Sequence, residues 1–202
     1  MPLPAILCDI GNVIVSFDFS IASRRLAALC DYSEDQVLDH LHEFKIPFED
    51  GQMDDDTFVK ESMTAIGFRS TSDEFRRVWC DIFTANTPMM DTLKSQAVHH
   101  PVYLLSNTSG LHKDFLFAQF PIFSQIQGGV YSYAAKASKP GRRIFEIAIE
   151  ELDLQPSETF FIDDLKANIE TATDLGFVTH HYDLRKHSEF ESALADWAHQ
   201  RQ

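Results

Sequence analysis

The stretch Thr159-Phe160-Phe161-Ile162-Asp163-Asp164, followed by Leu165 to Leu175 and Gly176, decides the fold class. A strongly apolar run stops abruptly at two carboxylates. A helical pattern follows, with Ile169, Ala172 and Leu175 on one face and Gly176 as a left-handed stop. Phe177-Val178-Thr179 then reads as the next strand. A strand that is apolar on both faces belongs to a parallel sheet covered by helices on each side.

Upstream, the same rhythm repeats. Leu3 to Cys8 is an apolar run that ends at Asp9, and Val102 to Leu105 is another that ends at Ser106-Asn107. Gly129-Val130-Tyr131 is a weaker third run. Between it and Thr159, residues Arg142 to Leu152 carry Ile144, Ile147, Ala148 and Leu152 on one helical face. Strand alternating with helix is the doubly wound α/β pattern.

The segment from about Phe17 to Met90 shows no convincing strand. Ser33-Glu34-Asp35-Gln36 and Thr71-Ser72-Asp73-Glu74 are capping boxes, Asp54 is a further helix cap, and Gly51 and Gly67 are breaks. After Thr71, residues Phe75, Val78, Trp79, Ile82 and Phe83 fall at helical spacing. The expectation is an all-helical insert over 17–91 in a core made of 1–16 and 92–202.

Composition narrows the function classes. Of 202 residues, 44% are hydrophobic and 24% charged, which is ordinary globular usage. The net charge of −14 repels phosphate backbones and anionic lipid, so neither nucleic acid nor a membrane is the expected partner. No run approaches the ~20 apolar residues of a membrane span. Cys8, Cys30 and Cys80 are scattered and form no metal spacing, which points to a reducing cytoplasm. The histidine pairs His99-His100 and His180-His181, and His40 with His42, lack the i, i+4 spacing of a helical zinc site. No Walker loop and no GxGxxG motif occurs, so no nucleotide cofactor is indicated.

Ligands of open parallel sheets bind beyond the carboxyl ends of the strands. Asp9, Ser106-Asn107 and Asp163-Asp164 all stand at that edge. Adjacent carboxylates with few local cations repel one another, and hard oxygen ligands of this kind suit Mg²⁺. Lys139 precedes Pro140, which keeps it out of a helix and on the loop near the same edge. Taken singly, each residue has a plainer role: a turn at Asp9-Ile10-Gly11, helix caps at Ser106-Asn107 and Asp163-Asp164, a solvated Lys139. Their agreement in order, strand-end placement and spacing argues for one site.

These four motifs, Cys8-Asp9-Ile10-Gly11-Asn12-Val13, Leu105-Ser106-Asn107-Thr108, Lys139-Pro140 and Phe161-Ile162-Asp163-Asp164 with Asn168 and Gly176 beyond, resemble those of the haloacid dehalogenase (HAD) superfamily. The likeness spans the chain. Within the superfamily, the Asp-x-Gly-Asn-Val form and the run Phe48-Glu49-Asp50-Gly51-Gln52-Met53 are similar to bacterial sugar-phosphate phosphatases of the α-D-glucose-1-phosphate phosphatase type. The resemblance implies a Rossmann-like core, a helical cap at the insert and a phosphoric monoester hydrolase. It implies Asp9 as nucleophile, forming an aspartyl phosphate, and Lys139 as the group balancing charge on Asp9 and the phosphate. Ser106 and the Asn107 amide would hold phosphoryl oxygens. Mg²⁺ would take Asp9, the Gly11 carbonyl and Asp164, with Asp163 beside it. The expected partner is a small phosphorylated metabolite, and the expected assembly a monomer or homodimer.

One departure stands out. Most phosphatases of the superfamily carry a second Asp two positions after the nucleophile, as acid and base; here that position is Gly11. Either another group or a water takes over, brought in by the cap, or the substrate has a good leaving group such as an anomeric oxygen. Cap residues that would choose the substrate are Phe44, Phe48 and Glu49, the two Phe being more simply read as packing between cap helices. Three other readings compete. A metal-free dehalogenase would lack the paired carboxylates. A response-regulator receiver carries its acidic pair early and has no helical insert. A catalytically weak relative binding a phosphorylated ligand or a protein would account for Gly11, but has no need of Asp9.

Overall fold

The computed structural model describes residues 4–201. In chain order the elements are β1 (Ala5–Cys8), β2 (Val15–Phe17), α1 (Phe19–Ala27), α2 (Glu34–Glu49), α3 (Asp55–Ile66), α4 (Ser72–Cys80), β3 (Phe83–Ala85), α5 (Thr87–Gln96), β4 (Val102–Ser106), α6 (Gly110–Gln119), β5 (Gly128–Tyr131), α7 (Ser132–Ala135), α8 (Arg142–Glu151), β6 (Thr159–Asp163), α9 (Lys166–Asp174), β7 (Val178–His181) and α10 (His187–His199). The first apolar run is a strand from Ala5, and Leu3 lies outside the described residues.

Five strands pair in parallel in the order β5-β4-β1-β6-β7. The chain builds outward from β1 on one side, then returns to its other side, so β1 is the point where strand order reverses and a crevice opens. Alternation divides each strand between two faces. Ile6 and Cys8 join Leu104, Phe160 and Ile162 under α5 and α10, whose Met89, Leu93, Phe190 and Trp197 complete that layer. Leu7, Leu105 and Phe161 face Ile144, Phe145 and Ala148 of α8 and Ala172 of α9. Both faces are buried, which is why the runs are continuously apolar.

The insert forms a second core of its own. α1 to α4 contribute Leu26, Leu41, Phe58, Phe75 and Trp79 among others. Phe48 stacks on Phe58 at 4.1 Å, and Phe58 meets Trp79 at 5.1 Å. The capping residues act as the sequence indicates: Asp54 accepts from the Thr57 N–H at 2.8 Å, and the Ser33 N–H donates to Gln36 at 3.0 Å. Gly67 ends α3 at φ 60°, a left-handed position that favours glycine.

The expectation of a strand-free insert is corrected in one place. β2 and β3 form an antiparallel ribbon, with Val15 opposite Ala85 and Phe17 opposite Phe83. Phe83 keeps helical spacing with Trp79, yet α4 stops at Cys80 and Phe83 lies on a strand. The two connections of an insert run side by side, and a short ladder satisfies their backbones. Strands of three residues are too short to show a period. Core packing also resumes before residue 92, because Met89 of α5 is fully buried under the sheet.

Removing the hub of the insert tests this packing. Phe58→Ala is expected to lower unfolding free energy by about 3–5 kcal/mol in urea titration. A loss below about 1 kcal/mol would show that the aromatic stack carries little of the insert's stability.

Candidate active site

The parallel register sets Cys8 opposite Ile162 and Leu104, so Asp9, one residue on, emerges beside Asp163 and near Ser106. The Asp9 N–H continues the ladder, donating to the Ile162 carbonyl at 2.9 Å. Lys139 enters from the loop before α8. Its ammonium lies 2.6 Å from Asp163 Oδ2 and 2.9 Å from Asp9 Oδ1. All three residues are buried. Burial opposes the charge on Lys139, but the two carboxylates outweigh it and raise its pKa.

Asp163 is fully committed. Its Oδ1 accepts from the Leu165 N–H and from Asn168 Nδ2, both at 2.8 Å, while Oδ2 takes Lys139. The Lys139 main chain is pinned in turn by Asn107, whose Oδ1 accepts from the Lys139 N–H at 2.9 Å and whose Nδ2 donates to its carbonyl at 2.8 Å. Asp164 is only partly buried and accepts from Asn12 Nδ2 at 3.1 Å.

Asp9 differs from Asp163 in what it lacks. Its Oδ1 is buried, and the nearby ammonium is not aligned to donate to it. Burial pushes its carboxyl up to about 6, with the Asp163 charge adding to the rise and Lys139 opposing it. Burial likewise raises Asp164. Oxygens of Asp9, Asp163 and Asp164 lie within 4.8 Å of one another. One ammonium against three carboxylates leaves two negative charges in excess. An unpartnered buried oxygen, a hard all-oxygen donor set and that charge fit a divalent cation such as Mg²⁺.

Asp9, Asp164 and Lys139 form the floor of a cavity of about 250 Å³, whose core side also includes Gly11, Ser106 and Thr108. Its opposite wall comes from the insert and its ribbon: Phe17, Phe19, Lys45, Glu49 and Phe83. His112 of α6 completes it, stacked on Trp79 at 5.8 Å with Nε2 3.2 Å from the Trp79 carbonyl.

No family model matches the chain. Among curated proteins, the D-ribitol-5-phosphate phosphatase of Bacteroides thetaiotaomicron is 30% identical over 183 residues, covering 86% of this chain and 89% of that protein. The chain belongs to the haloacid dehalogenase superfamily. Solved structures agree. A HAD family enzyme of the same organism, in complex with magnesium and inorganic phosphate, superposes with a TM-score of 0.79 at 25% identity, over 90% of this chain and 95% of that one. A HAD-like family hydrolase of Porphyromonas gingivalis gives 0.74 at 26% identity, over 91% and 92%.

The residues given a chemical role by the HAD likeness stand at this one edge, while Gly176 ends α9 beside Pro156, ahead of β7. Asp9, Gly11, Ser106, Asn107, Lys139 and Asp164 line the cavity, and Asp163 sits just behind them. The Asn107 side chain is spent on Lys139, so its main-chain amide is the group left for a ligand. Of the expected cap residues, Glu49 lines the cavity. Phe48 is buried in the insert and Phe44 packs against the same cluster, as their plainer reading has it. Sequence reasoning missed Lys45, Phe17, Phe19, Phe83 and His112. The spacing of Lys45 and Glu49 signals a helical ion pair, but nothing local says which way the pair faces.

His112 gives the site a pH signature. Burial pushes its imidazole down to about 4, whereas an unfolded histidine titrates near 6.5. Between these values the unfolded chain binds the extra proton, so stability is lost as pH falls from about 6.5 to about 4. Relative to His112→Gln, the wild type is expected to lose roughly 3 kcal/mol over that window in denaturant titrations at stepped pH. Parallel curves for the two proteins would refute the assignment.

Proposed function

We propose that this protein is a Mg²⁺-dependent phosphatase of small phosphomonoesters, sugar or polyol phosphates, acting through an aspartyl phosphate on Asp9. The observation that carries the reading is the Asp9 carboxylate itself. It is buried at the cavity floor, with one oxygen unpartnered and Lys139 at its side. A buried carboxylate that shares its one ammonium with Asp163 is costly to keep, and its retention beside a rigid support is what a nucleophile requires.

Asp9 attacks phosphorus in line and the bond to the leaving oxygen breaks. The Ser106 hydroxyl and the Asn107 main-chain amide donate to phosphoryl oxygens, and Lys139 balances charge on Asp9 and the phosphate. Asp163 holds Lys139, and Asn107 holds its main chain. Water then hydrolyses the aspartyl phosphate and restores Asp9. The Asp9 carboxylate, the Gly11 carbonyl and Asp164, with Asp163 behind them, would hold Mg²⁺, which shields the anionic phosphate from the anionic nucleophile. The insert, α1 to α4 with the β2–β3 ribbon, acts as the cap over the parallel-sheet core and supplies the aromatic wall of the cavity.

The name of the curated relative supports a polyol or sugar phosphate as substrate. Dehalogenases of known structure share the fold, with TM-scores of 0.60 and 0.61 at 14–17% identity, which speaks to architecture alone. The paired Asp163 and Asp164 weigh against that chemistry. Gly11 favours a second reading, a weakly active relative that binds a phosphorylated ligand. We place the protein in the cytoplasm, on the strength of its three free, buried cysteines. No helix among the described residues is long and apolar enough to cross a membrane. We expect a monomer or homodimer.

Phosphate release from a panel of sugar and polyol phosphates decides between the readings. The wild type with Mg²⁺ is expected to release phosphate, EDTA to stop it, and Asp9→Asn to abolish it. A folded wild type that binds phosphate esters without turning any over would establish the binding reading instead.

A further inference from the structure

The proposed reaction lacks a proton donor where Gly11 stands. A Cβ built at Gly11 would lie 2.9 Å from Phe17 Cε1, so an aromatic ring already occupies that side of the site. The donor has to come from elsewhere in the cavity lining. Asp9, Asp164 and Lys139 are engaged with the nucleophile, the metal and the phosphate in that reading. The other ionisable lining residues are His112, Lys45 and Glu49.

His112 is unsuited. It is buried and stacked on Trp79, its Nε2 faces a main-chain carbonyl, and its low pKa keeps it neutral. Glu49 has the opposite properties. Its side chain is 22% exposed, and its carboxylate lies 2.9 Å from the Lys45 ammonium, one helical turn back. Lys45 is itself fixed, 5.1 Å from the centre of the Phe19 ring. The Glu49 main chain is tethered to the core. The Ser132 hydroxyl lies 2.5 Å from the Glu49 carbonyl and accepts from the Thr108 N–H at 3.0 Å. Thr108 follows directly on Ser106 and Asn107, so Glu49 hangs from the loop proposed to hold the phosphate. The next residue, Asp50, is bound by Ser138, which precedes Lys139. The cavity is small, so a group on its cap wall is within reach of a phosphomonoester whose phosphorus sits at Asp9.

Building on the phosphatase reading, we propose that Glu49 is the general acid and base of this enzyme, with Lys45 as its positioning residue. As the Asp9 oxygen bonds to phosphorus, the phosphorus–oxygen bond to the leaving group breaks and its electron pair stays on the leaving oxygen. That oxygen takes the proton of the Glu49 carboxyl and departs as an alcohol. In the second half, the Glu49 carboxylate takes a proton from water as the water oxygen bonds to phosphorus. The bond from phosphorus to Asp9 breaks, its electron pair returns to the Asp9 carboxylate, and inorganic phosphate leaves. Both carboxyl groups end as they began. Burial holds the Glu49 carboxyl above its ordinary range while Lys45 draws it back, which suits a group that must both give and take a proton.

Leaving-group dependence tests this role. An alkyl alcohol needs a proton to depart, whereas 4-nitrophenolate does not. With Mg²⁺ present, Glu49→Gln is expected to lower kcat/KM for D-ribitol 5-phosphate about 10²–10⁴-fold and to leave kcat/KM for 4-nitrophenyl phosphate, which reports only formation of the aspartyl phosphate, near the wild-type value. A retained aryl kcat/KM also shows that the variant is folded, while the aryl kcat falls with the loss of the base and leaves a burst of 4-nitrophenolate. Equal losses on the two substrates would overturn the proposal, as would a raised KM with unchanged kcat on the alkyl ester, which marks hydroxyl binding. A second variant, Glu49→Ala, is expected to regain alkyl kcat/KM in added formate with no change in aryl kcat/KM; absence of rescue in a variant that keeps its aryl kcat/KM would overturn it too. A wild type with no Asp9-dependent release on either substrate would refute the phosphatase reading itself. Normal wild-type release with a uniform Glu49→Gln effect would refute only the role of Glu49.

Discussion

The Lys139 ammonium, held between Asp9 and Asp163, is the interaction on which the rest of this site depends. Three strand ends and one loop meet there, and each brings a group that is costly to bury alone. Losing the cation would strand two buried carboxylates, a change that typically costs about 3–5 kcal/mol. The surroundings are built to prevent that. Asn107 clamps the Lys139 main chain from both sides, and Asn168 with the Leu165 amide saturates the far oxygen of Asp163. Asp163 is therefore chiefly a support, with both of its oxygens already engaged. Asp9 and Asp164 are less engaged, which is the asymmetry a metal site and a nucleophile need. Support and reactive group stand side by side because β1 and β6 pair in register.

What the sequence disclosed follows from how far each signal reaches. The strands were legible because both faces of β1, β4 and β6 are buried, so every residue of each run is apolar or small. The strand-end polar residues were legible because they interrupt those runs. The β2–β3 ribbon was not, since its pairing joins Val15 to Ala85 across the whole insert and its three-residue strands show no period. Phe83 illustrates the failure well. It satisfies the helical spacing of α4 and then packs against Phe115 and His112 as part of a cavity wall. Lys45 and Glu49 carry the same lesson for the site. Their spacing is that of a solvated ion pair, and only the docking of α2 on the loop after β4 turns them inward.

The overall charge and the proposed substrate pull in opposite directions. A net charge of −14 repels a phosphate ester at long range, though salt screens that field beyond about 8 Å. Attraction must then be local. Among the described residues lining the cavity, the cations are Lys139 on the floor and Lys45 on the wall. Each is already paired with a carboxylate, so neither presents a bare charge. A divalent ion on the floor cancels the two excess negative charges there. This places affinity for the phosphate group under the control of the metal, and leaves the cap wall to act on the rest of the substrate.

That division bears on why Gly11 is tolerable. A carboxylate at position 11 would add a fourth negative group to a floor that already carries three against one ammonium. Phe17 fills that space instead, in edge contact with Phe19 at 5.8 Å and Phe83 at 6.4 Å. An aromatic wall lowers the local dielectric, and every charge–charge term in the cavity grows as water is excluded. Under those conditions a carboxyl on the far wall, balanced by its own lysine, is cheaper to keep than one crowded against Asp9 and Asp164. Moving the proton-handling group to α2 also makes it depend on the contacts that seat the cap, Ser132 with Glu49 and Ser138 with Asp50. In the proposed mechanism, chemistry is then tied to the seating of the cap: those contacts hold the group that would release the alcohol on the wall facing Asp9.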